Sequence, residues 1–196
     1  MNVLSLEEKQ DSLDTLNYQI RVCKKCRLSE TRKNALTGEG NIGGRILFVA
    51  LSPGSKEDSG NRMFIGPSGQ VFNRLLQAAG IERNAVYMTN LVKCTLPKNR
   101  KPSQLEIDAC SVFLDDEIRI IQPQIIAPLG YYATRSVINK YQDTGSPQIN
   151  FKAINGRLLN INGMKIFPLT HPSALLYNPA FEPETRQNYI RLKSLV

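Results

Sequence analysis

The stretch Arg45-Ile-Leu-Phe-Val-Ala50, followed by Leu51-Ser-Pro-Gly-Ser55, decides the fold. An uninterrupted apolar run of this length, bounded by loop residues, predicts a strand that is buried on both faces, because a half-solvated strand would alternate apolar and polar residues. Strands of that kind belong to parallel sheets that are covered by helices. The stretch therefore predicts an α/β protein with polar loop residues directly after a central strand.

Helical and extended patterns alternate along the rest of the chain. Ser103 and Glu106 form a capping box, which opens a helix that carries Cys110 and Ile121 on one side. The other predicted helices are 6–22, 67–79, 131–138 and one that starts near Pro183, and the other predicted strands are 85–89, 124–127 and 165–169. Because strands alternate with helices, we predict one domain over residues 1–196, with a central, mostly parallel four-stranded sheet flanked by helices.

Four cysteines lie among basic residues. Cys23 and Cys26 form a C-x2-C pair, and Cys94 and Cys110 follow far downstream. Four thiolates are the ligand set of a structural zinc ion or of an iron-sulfur cluster, and the wide separation of the last two favours a cluster. A disulfide pair or inert buried thiols are the alternatives, but no signal peptide or apolar leader precedes the first helix to indicate an oxidising compartment.

The chain is basic, with a formal net charge of +8 and a pI of about 9.4. Such a balance favours a polyanionic partner through counterion release, although a solvated basic surface is a common alternative. The positive charge is concentrated near the cysteines, which favours nucleic acid. No apolar run approaches the length of a membrane span.

Polar residues follow three of the predicted strands. In open α/β sheets, ligands bind beyond the carboxyl ends of the strands, so these residues are expected to converge on one crevice. They are the loop Ser52 to Gly60, the segment Phe64 to Gly69, Asn90, and Thr170-His171-Pro172-Ser173. His171 is the chain's single histidine, and Pro172 stiffens the turn that presents it.

These motifs resemble those of the family 4 uracil-DNA glycosylases, the iron-sulfur type. The resemblance covers nearly the whole chain. It comprises the C-x2-C pair, the E-D-x-x-G-x-x-F-x-G-x-x-G loop from Glu57 to Gly69, Thr89-Asn90-x-x-Lys93-Cys94, and His171-Pro172-Ser173. It implies the α/β glycosylase fold and an enzyme that flips uracil out of DNA and hydrolyses its N-glycosidic bond, which starts base excision repair.

The resemblance also implies a set of site residues. It implies a uracil pocket built from Phe64, Asn90 and His171, with His171 and Asn90 as catalytic residues and Phe64 and Asn90 as substrate-binding residues. Beyond the family pattern, we expect Ser52 as a further catalytic residue and Leu51, Gly54 and Ser173 as further substrate-binding residues. A [4Fe-4S] cluster would bind Cys23, Cys26, Cys94 and Cys110, with zinc as the alternative metal. The expected DNA contacts are Lys24, Lys25, Arg27, Lys98, Asn99, Arg100 and Lys101.

The chain departs from the family pattern in the first motif. The family reads Gly-Glu-(Ala or Gly)-Pro-Gly where this chain has Ala50-Leu51-Ser52-Pro53-Gly54, so the acidic residue is replaced by Leu51. Two alternatives follow from this change. One is a non-catalytic DNA-binding module that keeps the fold and the cluster, and the other is a glycosylase with a shifted base specificity.

The expected partner is DNA that contains uracil. We expect a cytoplasmic, DNA-associated protein that is a monomer without membrane association. A replication clamp is a candidate protein partner.

Overall fold

The computed structural model describes residues 4–142 and 149–196. The described helices are α1 Leu6–Val22, α2 Ser55–Gly60, α3 Pro67–Ala78, α4 Gln104–Ile121, α5 Tyr131–Tyr141, α6 Phe151–Ile154, α7 Ala174–Tyr177 and α8 Glu182–Lys193. The described strands are β1 Glu39–Gly40, β2 Ile46–Ala50, β3 Tyr87–Asn90, β4 Ile125–Pro128, β5 Leu159–Ile161 and β6 Met164–Ile166.

The described strands form one six-stranded sheet in the order β1-β3-β2-β4-β6-β5. The prediction of four strands was wrong, although the four predicted strands are the inner ones and run parallel. The two added strands are short and pair antiparallel at the two edges. The α/β fold with a mostly parallel sheet and flanking helices is therefore confirmed.

The central strand β2 is buried on both faces, as its apolar run predicts. Leu47 and Val49 pack into the core layer that contains α1 and α4. Ile46, Phe48 and Ala50 pack into the opposite layer with α3 and α8. Complete burial of a side chain such as Phe48 stabilises the fold by roughly 1.5–3 kcal/mol.

The two longest helices start at capping boxes. Ser5 and Glu8 cap α1, and Ser103 and Glu106 cap α4, with the serine side chain and the glutamate side chain each bonded to the other residue's backbone N–H. The predicted α1 and the predicted start of α4 are thus confirmed. No described helix is long and apolar enough to cross a membrane.

The order of the strands creates a crevice between β2 and β4. The chain leaves β2 toward α3 in one core layer and leaves β4 toward α5 in the other. Loops that depart to opposite faces leave a gap between neighbouring strand ends, and ligands bind at such switch points. Residues 51–57 follow β2, residues 129–132 follow β4, and all of them line one wide cleft.

Candidate active site and cysteine centre

A small pocket opens at the carboxyl ends of the inner strands. It brings together five of the residues singled out from the sequence, which come from four separate segments: Ser52, Gly54, Phe64, Asn90 and His171. The other two expected substrate-binding residues, Leu51 and Ser173, line the wide cleft beside it.

Phe64 forms an apolar wall of this pocket. Its ring stacks on Phe72 of α3, with centroids 4.2 Å apart and planes 16° apart. Its backbone is left-handed, with φ of 52°, a conformation that costs roughly 1–3 kcal/mol for a non-glycine residue. Gly69 permits the close approach of this loop, because a Cβ there would lie 1.9 Å from the Phe64 carbonyl oxygen.

Asn90 is the last residue of β3, and its side chain is buried. Its amide nitrogen donates to the thioether sulfur of Met63 over 3.1 Å. A thioether is a weak acceptor, so a ligand oxygen would be a better partner for this donor. Met63 is buried and its backbone is held by Glu39 and Arg83.

A buried ion pair between Lys93 and Glu117 contacts the backbone of Asn90. The Lys93 ammonium lies 2.5 Å from the Glu117 carboxylate, 2.6 Å from the Thr89 hydroxyl and 3.0 Å from the Asn90 carbonyl oxygen. Both charged side chains are almost completely inaccessible, at 1% and 0% exposure. The sequence contains Lys93 inside a motif, but Glu117 lies on α4 and no local pattern connects the two.

His171 is half-buried, and its ring has a defined hydrogen-bonding arrangement. The backbone N–H of Ser173 donates to Nδ1 over 3.1 Å, and the Ser173 hydroxyl lies 2.7 Å from the same atom. An Nδ1 that accepts a hydrogen bond carries no proton, so Nε2 carries the hydrogen. Burial lowers the pKa of His171 to about 4. The ring is therefore neutral at pH 7, with one N–H left to donate.

Glu57 also lines the pocket, although its sequence motif predicted no role for it. It lies on α2, in a segment that was expected to be loop, and it is buried. One carboxylate oxygen accepts from the Gly66 N–H over 2.7 Å, and a Cβ at Gly54 would lie 2.6 Å from the other oxygen. Gly54 lies three residues before Glu57, and Gly66 lies nine residues after it. These two glycines are the signal in the sequence that could have indicated a close approach of the backbone to the Glu57 carboxylate.

The four cysteines converge at a second place. Cys23, Cys26, Cys94 and Cys110 line one cavity between α1, α4 and the segment after β3. All four are free thiols, so the disulfide alternative is wrong. Burial raises the pKa of the Cys94 thiol and raises that of Cys110 to about 11.

Several N–H groups point at the cysteine sulfurs. The Arg32 guanidinium donates to Cys94 over 3.1 Å, and the backbone N–H of Lys93 donates to Cys110 over 3.2 Å. The backbone N–H of Lys25 donates to Cys23 over 3.5 Å. Donors of this kind stabilise thiolates and metal-bound sulfur. Arg32 was not singled out from the sequence.

The basic residues expected to contact DNA are all exposed and fall into two groups. Lys24, Lys25 and Arg27 lie beside the cysteine cavity, and the segment 98–101 follows Cys94. Asn99 and Arg100 line the wide cleft. The Arg100 guanidinium is already paired with Glu106, at 2.5 Å and 2.8 Å, which lowers the pKa of Glu106 to about 2. In this segment, DNA contacts are therefore expected from Lys98, Asn99 and Lys101 before Arg100.

Comparisons with known proteins identify the family. The model of the Uracil DNA glycosylase superfamily matches residues 37–192. A type-4 uracil-DNA glycosylase from Saccharolobus solfataricus is 38% identical over 188 residues, which is 93% of this chain and 86% of that protein. Type-4 uracil-DNA glycosylases from Sulfurisphaera tokodaii and Thermotoga maritima are 35% and 34% identical, covering 94% and 89% of this chain and 85% and 88% of their own lengths. The chain therefore belongs to the uracil-DNA glycosylase superfamily and, within it, to the type-4 family.

Proposed function

We propose that this chain removes uracil from DNA by hydrolysing the N-glycosidic bond, in the pocket between Phe64, Asn90 and His171. The observation that carries the proposal is the convergence of an aromatic wall, a buried amide and a neutral imidazole N–H on one small pocket at the carboxyl ends of the inner strands. Uracil must leave the base stack to enter such a pocket, at a cost of a few kcal/mol that is smallest for a mispaired or single-stranded base.

Phe64 and Asn90 would select the base. The Phe64 ring supplies a stacking surface, which favours any base and discriminates little. The Asn90 amide can donate to uracil O4 while its carbonyl oxygen accepts from N3–H. Cytosine presents the reversed donor and acceptor pattern, so it would leave buried groups unpaired and would be rejected.

His171 would stabilise the leaving base. As the glycosidic bond breaks, negative charge develops on the uracil oxygens, and the Nε2–H can donate to O2. A preorganised neutral donor that is aimed at the developing charge stabilises it without the cost of reorganisation. The Ser173 hydroxyl and N–H hold Nδ1, so Ser173 would act by orienting the imidazole.

Glu57 would compensate for the acid that is missing at position 51. The sugar becomes positively charged as the bond breaks, and a buried carboxylate in the same pocket stabilises positive charge. Ser52 lines the same pocket and would orient the water that attacks C1′. We therefore favour an active glycosylase over a non-catalytic binding module.

The cysteine cavity fits a [4Fe-4S] cluster. Within residues 4–142 and 149–196, no three His, Cys, Asp or Glu side chains are arranged to hold a single metal ion, although four thiols line one cavity. A zinc ion requires its sulfur ligands about 2.3 Å from one point, whereas a cluster binds each thiolate at a different iron. When bound, the cluster supplies a rigid connection between the basic segments 24–27 and 98–101 and α4.

The uracil-removal proposal is tested by single-turnover cleavage of an oligonucleotide that contains one uracil, opposite G, opposite A and single-stranded. We expect the wild type to release uracil. We also expect Leu51→Glu to change the rate constant by far less than the roughly 10²-fold that a positioned acid or base is worth, because Glu57 already provides a carboxylate.

Leu51→Gln is the matched control for this experiment, since it has the same shape as the glutamate without the charge. Cleavage by Leu51→Glu alone, with an inactive wild type and an inactive Leu51→Gln, would contradict the proposal and support a binding module.

The cluster proposal is tested by the variant Cys110→Ser. We expect the purified wild type to be brown and to contain iron and acid-labile sulfide in equal amounts. Cys110→Ser should lose most of its visible absorption and bound iron, because a hydroxyl is a poor ligand for a cluster. Ser111→Ala, the next residue on α4, should retain both. A colourless wild type that contains zinc would refute the cluster.

A further inference from the structure

We propose that Tyr131 and Tyr132 form a stacking platform for the base next to the flipped uracil, so that the enzyme favours DNA in which that neighbour is unpaired. The inference rests on the proposed function. It adds a second base-binding site outside the uracil pocket.

The two tyrosines lie in the first turn of α5, at the edge of the wide cleft. The buried side of this helix consists of Ala133, Thr134, Val137 and Ile138, whereas Tyr131 is 38% exposed and Tyr132 is half-buried. Their rings meet edge to face, with centroids 5.4 Å apart and planes 87° apart. The pair therefore presents aromatic surface to the cleft from a rigid element.

Gly130, which precedes the two tyrosines, fixes their position relative to the uracil pocket. Its N–H donates to the Leu169 carbonyl over 2.7 Å, two residues before His171. A Cβ at Gly130 would lie 3.1 Å from the His171 Cβ, so the chain carrying the tyrosines passes directly against the catalytic segment. The nucleotide adjacent to a uracil bound at His171 must pass close to this point.

Positive charge accompanies the aromatic surface. The Lys101 ammonium lies 5.9 Å from the centroid of the Tyr132 ring. The cleft is also lined by Lys56 and by Arg100, whose guanidinium pairs with Glu106. Proteins that hold unpaired nucleic acid combine a basic groove, which follows the phosphates, with aromatic rings on which bases stack. Both parts of that arrangement are present here within one cleft.

Stacking on a tyrosine requires that the base has left its own helical stack. A neighbour in single-stranded DNA or beside a mismatch is already partly unstacked, whereas a neighbour in a paired duplex must first be released. The platform would thus favour single-stranded or mismatched uracil, with little dependence on the identity of the neighbouring base, because every base has an aromatic face.

The test is a cycle that removes the aromatic rings from the protein and the base from the DNA. Binding is measured by fluorescence anisotropy on single-stranded oligonucleotides that carry a non-hydrolysable 2′-fluorodeoxyuridine. The nucleotide on the 5′ side or on the 3′ side is either intact or replaced by an abasic residue. The proteins are the wild type, the double variant Tyr131→Ala/Tyr132→Ala, and Tyr131→Phe/Tyr132→Phe.

We expect the wild type to lose about tenfold in affinity when one of the two neighbouring bases is removed, within the range of about fivefold to about 150-fold that one base–aromatic stack provides. The double alanine variant should bind intact DNA as weakly as the wild type binds the abasic DNA, with no further loss on removing the base. The double phenylalanine variant should behave as the wild type, since stacking needs the ring and not the hydroxyl.

Tyr18→Ala is the matched control, because Tyr18 is 66% exposed on α1, away from the cleft. It should bind all DNAs as the wild type does. The proposal is overturned if the double alanine variant binds intact DNA with wild-type affinity, or if its loss is the same on intact and abasic DNA. A wild type that binds but releases no uracil from an ordinary substrate would instead contradict the proposed function.

Discussion

The variant His171→Ala is expected to lower the single-turnover rate of uracil release by about 10²–10³-fold, the usual effect of removing one preorganised donor to a developing anion. The affinity for DNA that contains a non-hydrolysable uracil analogue should change little, because the donor acts mainly as charge develops on the leaving base. Both quantities are measured on the same oligonucleotide.

Thr170→Ala is a suitable control for this variant. Thr170 is the preceding residue, and its hydroxyl contacts Asn155, 3.3 Å away, instead of lining the pocket. It should retain nearly the wild-type rate. A wild-type rate in His171→Ala would remove His171 from the mechanism.

The pH dependence follows from the same residue. Because burial holds the pKa of His171 at about 4, against an ordinary value of 6.5, the imidazole keeps its Nε2–H and its neutral state in the folded enzyme. The lowered pKa makes the free energy of unfolding depend on pH. The contribution of His171 is fully present above about pH 6.5, and it is lost as the pH falls from 6.5 toward 4, because the unfolded state binds a proton in this range and the folded state does not. The rate constant should therefore show no inflection near pH 6.5. A rate constant that falls as the pH rises through 6.5 would show that a charged imidazole is the active form.

Glu117→Ala is expected to lower the free energy of unfolding by about 3 to 5 kcal/mol. The reason is that the Lys93 ammonium, 1% exposed, would remain buried without its counter-charge. Chemical denaturation under anaerobic conditions, followed by circular dichroism, measures the change. Because Lys93 also donates to the Asn90 carbonyl, discrimination between uracil and cytosine should weaken in the same variant.

Two further variants identify the cause of this loss. The double variant Lys93→Met/Glu117→Gln removes both charges and should recover much of the stability, since no unpaired charge remains. Arg119→Ala removes an exposed ion pair with Asp116 on the same helix and should cost less than about 1 kcal/mol. Equal effects of Glu117→Ala and Arg119→Ala would mean that the buried pair has no special importance.

Local signals predicted the helices better than the sheet edges. The capping box at Ser103 acts within four residues, so it marked the start of α4 correctly, and the amphipathic pattern of residues 6–22 marked α1. Strand β5, which forms a hairpin with the predicted strand β6, was missed. The turn residues Asn162 and Gly163, both with positive φ, form a dipeptide typical of tight hairpins. β1 has two residues, Glu39 and Gly40, and no apolar alternation, so no sequence signal marks it.

The sequence by itself determined the buried central strand, the capped helices, the basic charge beside the cysteines and, through its motifs, the family. Those features depend on neighbouring residues or on fixed spacing, which the order of residues contains directly. Only the tertiary structure decided that Asn90, Phe64 and His171 share a pocket with Glu57, that Lys93 pairs with Glu117, and that two tyrosines line the same cleft as His171. These contacts join segments that are far apart in the chain. They are set by the order of the parallel strands and by the close approaches at Gly69 and Gly130. Contacts of this kind produce no periodic pattern in the sequence, so local patterns do not predict them.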